Sequence, residues 1–439
     1  MGGQLKSYFL AASREVIGSE AFVKVLFLTP AFPPFPGGGE RYAQSLALQL
    51  LRRECVVTVV TSMARQEHDF WQATSQTSPA RENVENGLTV IRCPLRGMPG
   101  GHPGLLAWRK AMVLLSALPG DQSTLLMNMA RFIPPLTGLE AALAQLADRF
   151  DVIHAFNLSW EYPLIQAWRW ARHTHTPLAL TPFAHLGAGQ QDRVARNSTM
   201  DHQLHILREA NSVLTLTDIE RRGLAERGVP SERMVTIGSG LDEVPPLLDE
   251  EEVLAHYHLA RPFIAFVGRA SADKGAQHAA EAVIRLRREG VHLALALMGS
   301  STPEFDRFLQ GLPASERAGI QPLGIVPEAH KHTLLQASTL LVLPSRTDSF
   351  GLVILEAWAH GKPVIGARAG GIPAVIDEGS TGLLVNFGDV AGLAQAIHRL
   401  LLDEALCCEL GQRGQAKLAA EYTWERVAEK VLAVYRRMS

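Results

Sequence analysis

Four cysteines in 439 residues, Cys55, Cys93, Cys407 and Cys408, are too few and too poorly spaced for a disulfide framework or a zinc site. Cys407 and Cys408 are neighbours, a geometry that bridges only with strain, so all four read as reduced thiols of a cytoplasmic protein. No charge of one sign dominates either. Lys and Arg number 42 against 44 Asp and Glu, a net charge of −2, which removes whole-chain attraction to nucleic acid or to an anionic membrane. No apolar run reaches the ~18 residues that a membrane-crossing helix needs. Residues 1–20 carry polar residues throughout rather than the apolar core of a signal peptide. The expected location is the cytoplasm. Its inner membrane face enters as an alternative because WRKAMVLLSAL, residues 108–118, sets a cationic edge beside apolar positions and would suit a peripheral membrane contact. Packing of that helix inside its domain explains the same pattern.

What the chain does have is length and a repeating alternation. A chain of 439 residues exceeds what one hydrophobic core serves, so two domains of about 200 residues each are expected. Apolar strand-like runs followed by helical periodicity recur from residue 23 onward, the pattern of a doubly wound parallel sheet, and the pattern occurs twice. The first set comprises residues 23–28, 56–61, 88–92, 152–155, 178–181 and 212–216. The second comprises 263–267, 294–298, 340–343, 364–366 and 383–385. A polar, proline-bearing stretch at 238–246 separates them and is read as the linker. The expected fold class is therefore α/β, with two Rossmann-like doubly wound domains facing a cleft. The expected divisions are an N-terminal extension at 1–21, a first domain at 22–243, a second at 244–420, and a C-terminal helix at 421–439 that packs back on the first domain.

The densest chemical signal lies at 340–382, LLVLPSRTDSFGLVILEAWAHGKPVIGARAGGIPAVIDEGSTG. A buried strand ends at Pro344, and a helix over 352–360 opens at Ser349-Phe350-Gly351-Leu352. Unpaired amides at such a helix start favour phosphate. Glu356, five residues beyond Gly351, lies about 7.5 Å along the helix axis, roughly the reach from a pyrophosphate to a ribose. Asp348, just ahead of the helix, is placed to accept hydrogen bonds from sugar hydroxyls.

Three further segments join this one. Gly37, Gly38 and Gly39 precede a helix after the first strand, where backbone can approach a ligand; a plain strand-to-helix connection reads the same way. Gly268 and Arg269 close the first strand of the second half and Lys274 follows, so two cations stand at the carboxyl edge of a parallel sheet, where ligands bind in such folds. Fixed cations there stabilise a departing diphosphate. His185 follows the strand at 178–181, at the carboxyl end expected to face the cleft, a position from which a histidine can hydrogen-bond a donor sugar or an acceptor. His154, inside DVIHAF, reads as a core histidine. Gly370 and Gly371, ahead of another helix, offer amides to the same ligand.

PPFPGGGERYAQSLALQL, FVGRASADKGAQHAAEAV and the Asp348-x7-Glu356 spacing resemble the family 4 retaining glycosyltransferases of the GT-B fold, over about residues 23–436 and most closely over 262–384. The resemblance implies transfer of a sugar from a nucleotide diphosphate sugar, UDP- or GDP-linked, to a glycan, lipid or small-molecule acceptor held by the first domain. It implies that Arg269 and Lys274 contact the diphosphate and that the loop 324–327, with Ile325 and Val326, cradles the base. It also implies departure and attack on the same sugar face. No Asp-x-Asp element is present to hold a divalent ion on the diphosphate, so no metal and no further cofactor are expected. The chain departs from the family pattern at Asp348 (usually Glu), Phe156 (usually His), Ala374 (usually Glu) and Ser239. These departures keep open a weakly catalytic nucleotide-sugar-binding subunit as the alternative, alongside a GT-B sugar epimerase. No G-x-G-x-x-G follows the first strand, so a dinucleotide dehydrogenase is disfavoured.

Overall fold

The computed structural model describes residues 23–72, 81–146, 149–187 and 192–438. The expected N-terminal extension lies outside them. Fourteen strands are described: β1 (Lys24–Leu28), β2 (Val56–Ser62), β3 (Arg81–Glu85), β4 (Leu88–Cys93), β5 (Val152–Phe156), β6 (Leu178–Thr181), β7 (Ser212–Thr215), β8 (Met234–Thr236), β9 (Phe263–Val267), β10 (Ala294–Met298), β11 (Ile320–Gly324), β12 (Leu341–Leu343), β13 (Val364–Ala367) and β14 (Gly382–Val385). They form two sheets, ordered β3-β4-β2-β1-β5-β6-β7-β8 and β11-β10-β9-β12-β13-β14.

The central strands are buried along almost their whole length, as a parallel strand covered by helices on both faces must be. Every pairing is parallel except β3 with β4. That hairpin turns at Asn86-Gly87, both in the left-handed region at φ 52° and 83°, the dihedral pattern of a two-residue hairpin turn. Among the parallel strands of each sheet the order reverses once, between β1 and β5 and between β9 and β12. The crevice at such a reversal, outside the carboxyl ends of the strands, is where open α/β sheets bind ligands.

One apolar core runs through both halves. Phe27 and Tyr42 of the first sheet layer, Phe263 and Trp358 of the second, and Trp424 and Tyr435 of the C-terminal helix Trp424–Met438 belong to a single buried cluster. That helix returns to the first sheet, where Trp424 packs edge-on against Tyr42 with ring centroids 5.1 Å apart. Its Tyr435 hydroxyl lies 2.6 Å from His154 Nδ1, and His154 Nε2 lies 2.8 Å from Thr181 Oγ1. His154 is fully buried in β5, so it is a core histidine whose two nitrogens are both satisfied. Burial pushes its pKa down to about 3.

The helix Gly101–Ser116 answers the two readings of WRKAMVLLSAL unevenly. Leu105 and Met112 are buried and Trp108 Nε1 donates to the Met129 carbonyl at 3.1 Å, so one stripe packs inside the domain. Leu106, Leu114 and Leu118 remain 56%, 61% and 55% exposed. None of the described helices is long and apolar enough to cross a membrane.

Tyr435→Phe removes one partner of a buried imidazole and should cost about 1–3 kcal/mol, read as a lower denaturant midpoint at unchanged slope. Because the His154 pKa is depressed when folded, its contribution is complete above pH 6.5 and is lost as pH falls toward about 3. The deficit of the variant against wild type should therefore be measured at pH 7.

Candidate active site between the two sheets

The two strand-order reversals collect the chemistry. The turn after β1 leads into the helix Gly38–Leu51. The turn after β9 carries Gly268, Arg269 and Lys274, and the turn after β12 carries Asp348, Ser349, Phe350 and Gly351 before the helix Leu352–Ala359. Gly38 and Gly39 form the first turn of their helix rather than preceding it. A side-chain carbon on Gly38 would come 3.3 Å from Leu352 Cδ1, and one on Gly39 would come 3.2 Å from Phe183. The glycine turn of the first half thus lies directly against the helix start of the second.

Lys274 Nζ donates to Asp348 Oδ1 at 2.8 Å. Burial would raise the Asp348 carboxyl, and the Lys274 ammonium overrides it, leaving the pKa below its ordinary value. Oδ2 of Asp348 is buried with no partner among the described residues. His185 is the third member of this group. Burial first, then the Lys274 charge, pushes its imidazole down to about 4, against the opposing charges of Asp348 and Asp273. It is neutral at pH 7, and its buried Nδ1 has no hydrogen-bond partner among the described residues.

A second cluster forms around Glu356, buried on the helix Leu352–Ala359. Lys331 Nζ donates to Glu356 Oε1 at 2.8 Å and also lies 2.8 Å from Glu328 Oε2. Arg41, from the glycine-turn helix of the other half, grips Glu328 with both terminal nitrogens at 2.7 and 3.2 Å and stands 3.7 Å from Glu356 Oε1. Burial acts to raise the Glu328 carboxyl, and Arg41 and Lys331 bring it down to about 2. With both cations on Oε1, Glu356 Oε2 is left buried and without a partner. Glu328, His332 and Glu356 hold potential ligand atoms within 4.8 Å of one another, the spacing of a cation site. Lys331 already supplies the positive charge the two carboxylates share.

Arg269 stands apart from these groups. Its Nη1 donates to Glu67 Oε2 at 2.6 Å, across from the first half. Ile325 is 79% exposed at the end of β11 and Val326 is half-buried beside it. Phe350 packs edge-on against Tyr422 at 5.5 Å and is buried, so its main chain alone faces the turn.

The glycine pair at 370–371 does something other than offer amides to a ligand. The Gly370 amide donates to the Gly187 carbonyl of the first half and the Gly371 amide to the Asp348 carbonyl, both at 2.8 Å. Side chains at Gly370 and Gly371 would collide with the carbonyl oxygens of Asp348 and Ser349, so the pair is the floor on which the Asp348 turn rests. Gly351, at φ 87°, is the left-handed N-cap that turns the chain into the following helix.

Glu67, Arg41, Glu328 and Lys331 carry no motif. The one local trace is the Glu328/Lys331 pair at i, i+3, with a lysine on the buried face of its helix.

Comparison with known proteins bears on both halves. Residues 37–240 match the family described as "Glycosyl transferase 4-like domain" and residues 261–403 match "Glycosyl transferases group 1". The D-inositol 3-phosphate glycosyltransferase of Corynebacterium jeikeium is 28% identical over 92% of this chain and 92% of its own. That of Mycobacterium bovis is 30% identical over 91% of this chain and 79% of its own. The crystal structure of Anabaena Alr3699/HepE in complex with UDP superposes over 94% of this chain and 100% of that one, at a TM-score of 0.68 and 18% identity. On these matches and on the two facing parallel sheets, the chain belongs to the group 1, family 4 glycosyltransferases and is a glycosyltransferase of the GT-B fold.

Proposed function

We propose that the enzyme transfers a hexose, with retention of configuration, from a UDP-sugar held against the second sheet to a hydroxyl of a small phosphorylated acceptor held against the first. One arrangement carries this reading: His185 Nδ1, Asp348 Oδ2 and Glu356 Oε2 are all buried and all without partners among the described residues. Buried polar atoms are nearly always bonded, so three such atoms on segments that follow β6 and β12 at the facing carboxyl edges fit a polyhydroxylated ligand. The UDP-bound state of Alr3699/HepE supports the base, and the D-inositol 3-phosphate glycosyltransferases, similar over both halves, support the acceptor class.

In this reading Glu356 Oε2 accepts from the ribose hydroxyls, its other oxygen being fixed by Lys331 and Arg41. Asp348 Oδ2 accepts from a sugar hydroxyl, and neutral His185 donates to or accepts from another. The bond from the anomeric carbon to the diphosphate breaks while a bond to the acceptor oxygen forms on the same face. The acceptor proton passes to the leaving phosphate oxygen. Negative charge grows on that diphosphate, and Lys274, Arg269 and the amides opening the helix Leu352–Ala359 stabilise it where it forms. These fixed positive groups take the part a divalent cation plays on a diphosphate, so no metal is required.

Thermal unfolding of the protein with UDP-, GDP- and ADP-sugars tests the donor. A ligand at a hundred times its dissociation constant adds about 2.7 kcal/mol, and no shift with any of the three would overturn the reading. Stabilisation without turnover on any phosphorylated polyol would favour a binding subunit instead.

Glu356→Gln should weaken UDP-sugar binding roughly tenfold or more with little change in kcat, because a ribose contact is made equally in ground and transition states. Lys274→Ala should cut kcat on the order of a hundredfold while the fold survives; an unchanged kcat removes Lys274 from the diphosphate.

The His185 imidazole should titrate near pH 4 rather than 6.5 in a nuclear magnetic resonance titration of the folded protein. Being depressed, it stabilises the fold above pH 6.5 and loses that contribution as pH falls through 4.

A further inference from the structure

Glu67 opens a one-turn helix, Glu67–Phe70, that projects from the carboxyl edge of the first sheet just after β2. The turn is firmly seated. Asp69 Oδ2 accepts from the amides of Arg65 and Gln66 at 2.8 and 3.1 Å. Phe70 is buried between Phe35 and Trp160, with ring centroids 5.3 and 4.3 Å away. The main chain of Glu67 is thus held by the first half, while its carboxylate reaches Arg269 of the second.

Both side chains of that ion pair are about half exposed, 50% for Glu67 and 48% for Arg269. An ion pair so wet contributes little to holding the halves together. Its effect is on occupancy: a carboxylate already lies on the guanidinium that faces the cleft, and an incoming diphosphate must take its place.

We propose that Glu67 is an internal occupant of the diphosphate subsite, a specificity-determining residue whose carboxylate caps Arg269 until a ligand of higher negative charge displaces it. The inference rests on the reading of Arg269 as a diphosphate contact. A diphosphate carries more charge than one carboxylate and can take bidentate hydrogen bonds from the planar guanidinium, so it wins the exchange. A ligand with a weaker anion at that point competes less well. Donor arrival then does two things at once. It fills the second half, and it severs a contact between the halves, leaving a free carboxylate on the first.

The test is the UDP dissociation constant, measured by calorimetry on the full chain for wild type, Glu67→Gln, Glu67→Ala, Arg269→Ala and the double variant Glu67→Gln/Arg269→Ala. Removing the competing carboxylate should tighten UDP two- to fivefold in both Glu67 variants, the size of an exposed ion pair. The gain should shrink at 0.5 M salt and vanish when Arg269 is already Ala. Weaker binding by Arg269→Ala with no change in either Glu67 variant overturns the inference and leaves the Arg269 reading standing. Unchanged binding in Arg269→Ala overturns that reading, and the inference with it.

Discussion

A parallel strand can be followed by its parallel neighbour only through a crossover, and that constraint governs where everything chemical lies in this protein. It sends the loops leaving β1, β6, β9 and β12 to the carboxyl edges of their sheets. The two edges are turned toward each other. Gly38 against Leu352, Gly187 bonded to Gly370, Arg41 on Glu328 and Glu67 on Arg269 all span the gap. Residues far apart in the chain, 74 positions for Lys274 and Asp348 and 287 for Arg41 and Glu328, meet because the strands leave them no other edge.

Charge inside this gap is arranged in compensating sets. Asp348 is held by Lys274, and Glu356 by Lys331 and Arg41. Each set spends one carboxylate oxygen on its cation and keeps the other unbonded, so each buried acid has its charge compensated and still has an acceptor to present. The imidazole beside them is neutral for the same reasons, burial and a neighbouring cation. The site therefore presents strong acceptors and one neutral ring to a sugar, and cations with backbone amides to its phosphates.

Much of the second half could be read from the chain. Its strands are unbroken apolar runs, and Pro344 and the Ser349-Phe350-Gly351 turn punctuate them sharply. What escaped had weaker local signals. β11 reads IQPLG, an edge strand whose proline and glycine disguise it, and β8 is three residues long. β3 was recoverable, since Asn86-Gly87 between alternating residues marks a hairpin. Glycines 370 and 371 were visible as close-approach positions, but which backbone they approach depends on tertiary placement. Arg41 and Glu67 could not have been found, because an ion pair between halves follows from how the sheets face each other and leaves no spacing in the sequence.

The chain passes between the halves twice. It does so once after β8, and again where Tyr422 precedes the C-terminal helix. The two crossings lie side by side. The Leu241 amide donates to the Tyr422 carbonyl at 3.2 Å, and Asp242 takes hydrogen bonds from Ser45 and Trp424 at 2.5 and 2.8 Å. A body joined to another by one thread can swing and twist in any direction. Two threads pinned side by side have the geometry of a door hinge: they tie the halves twice at one edge, so any change in the gap is smallest there and largest at the opposite edge.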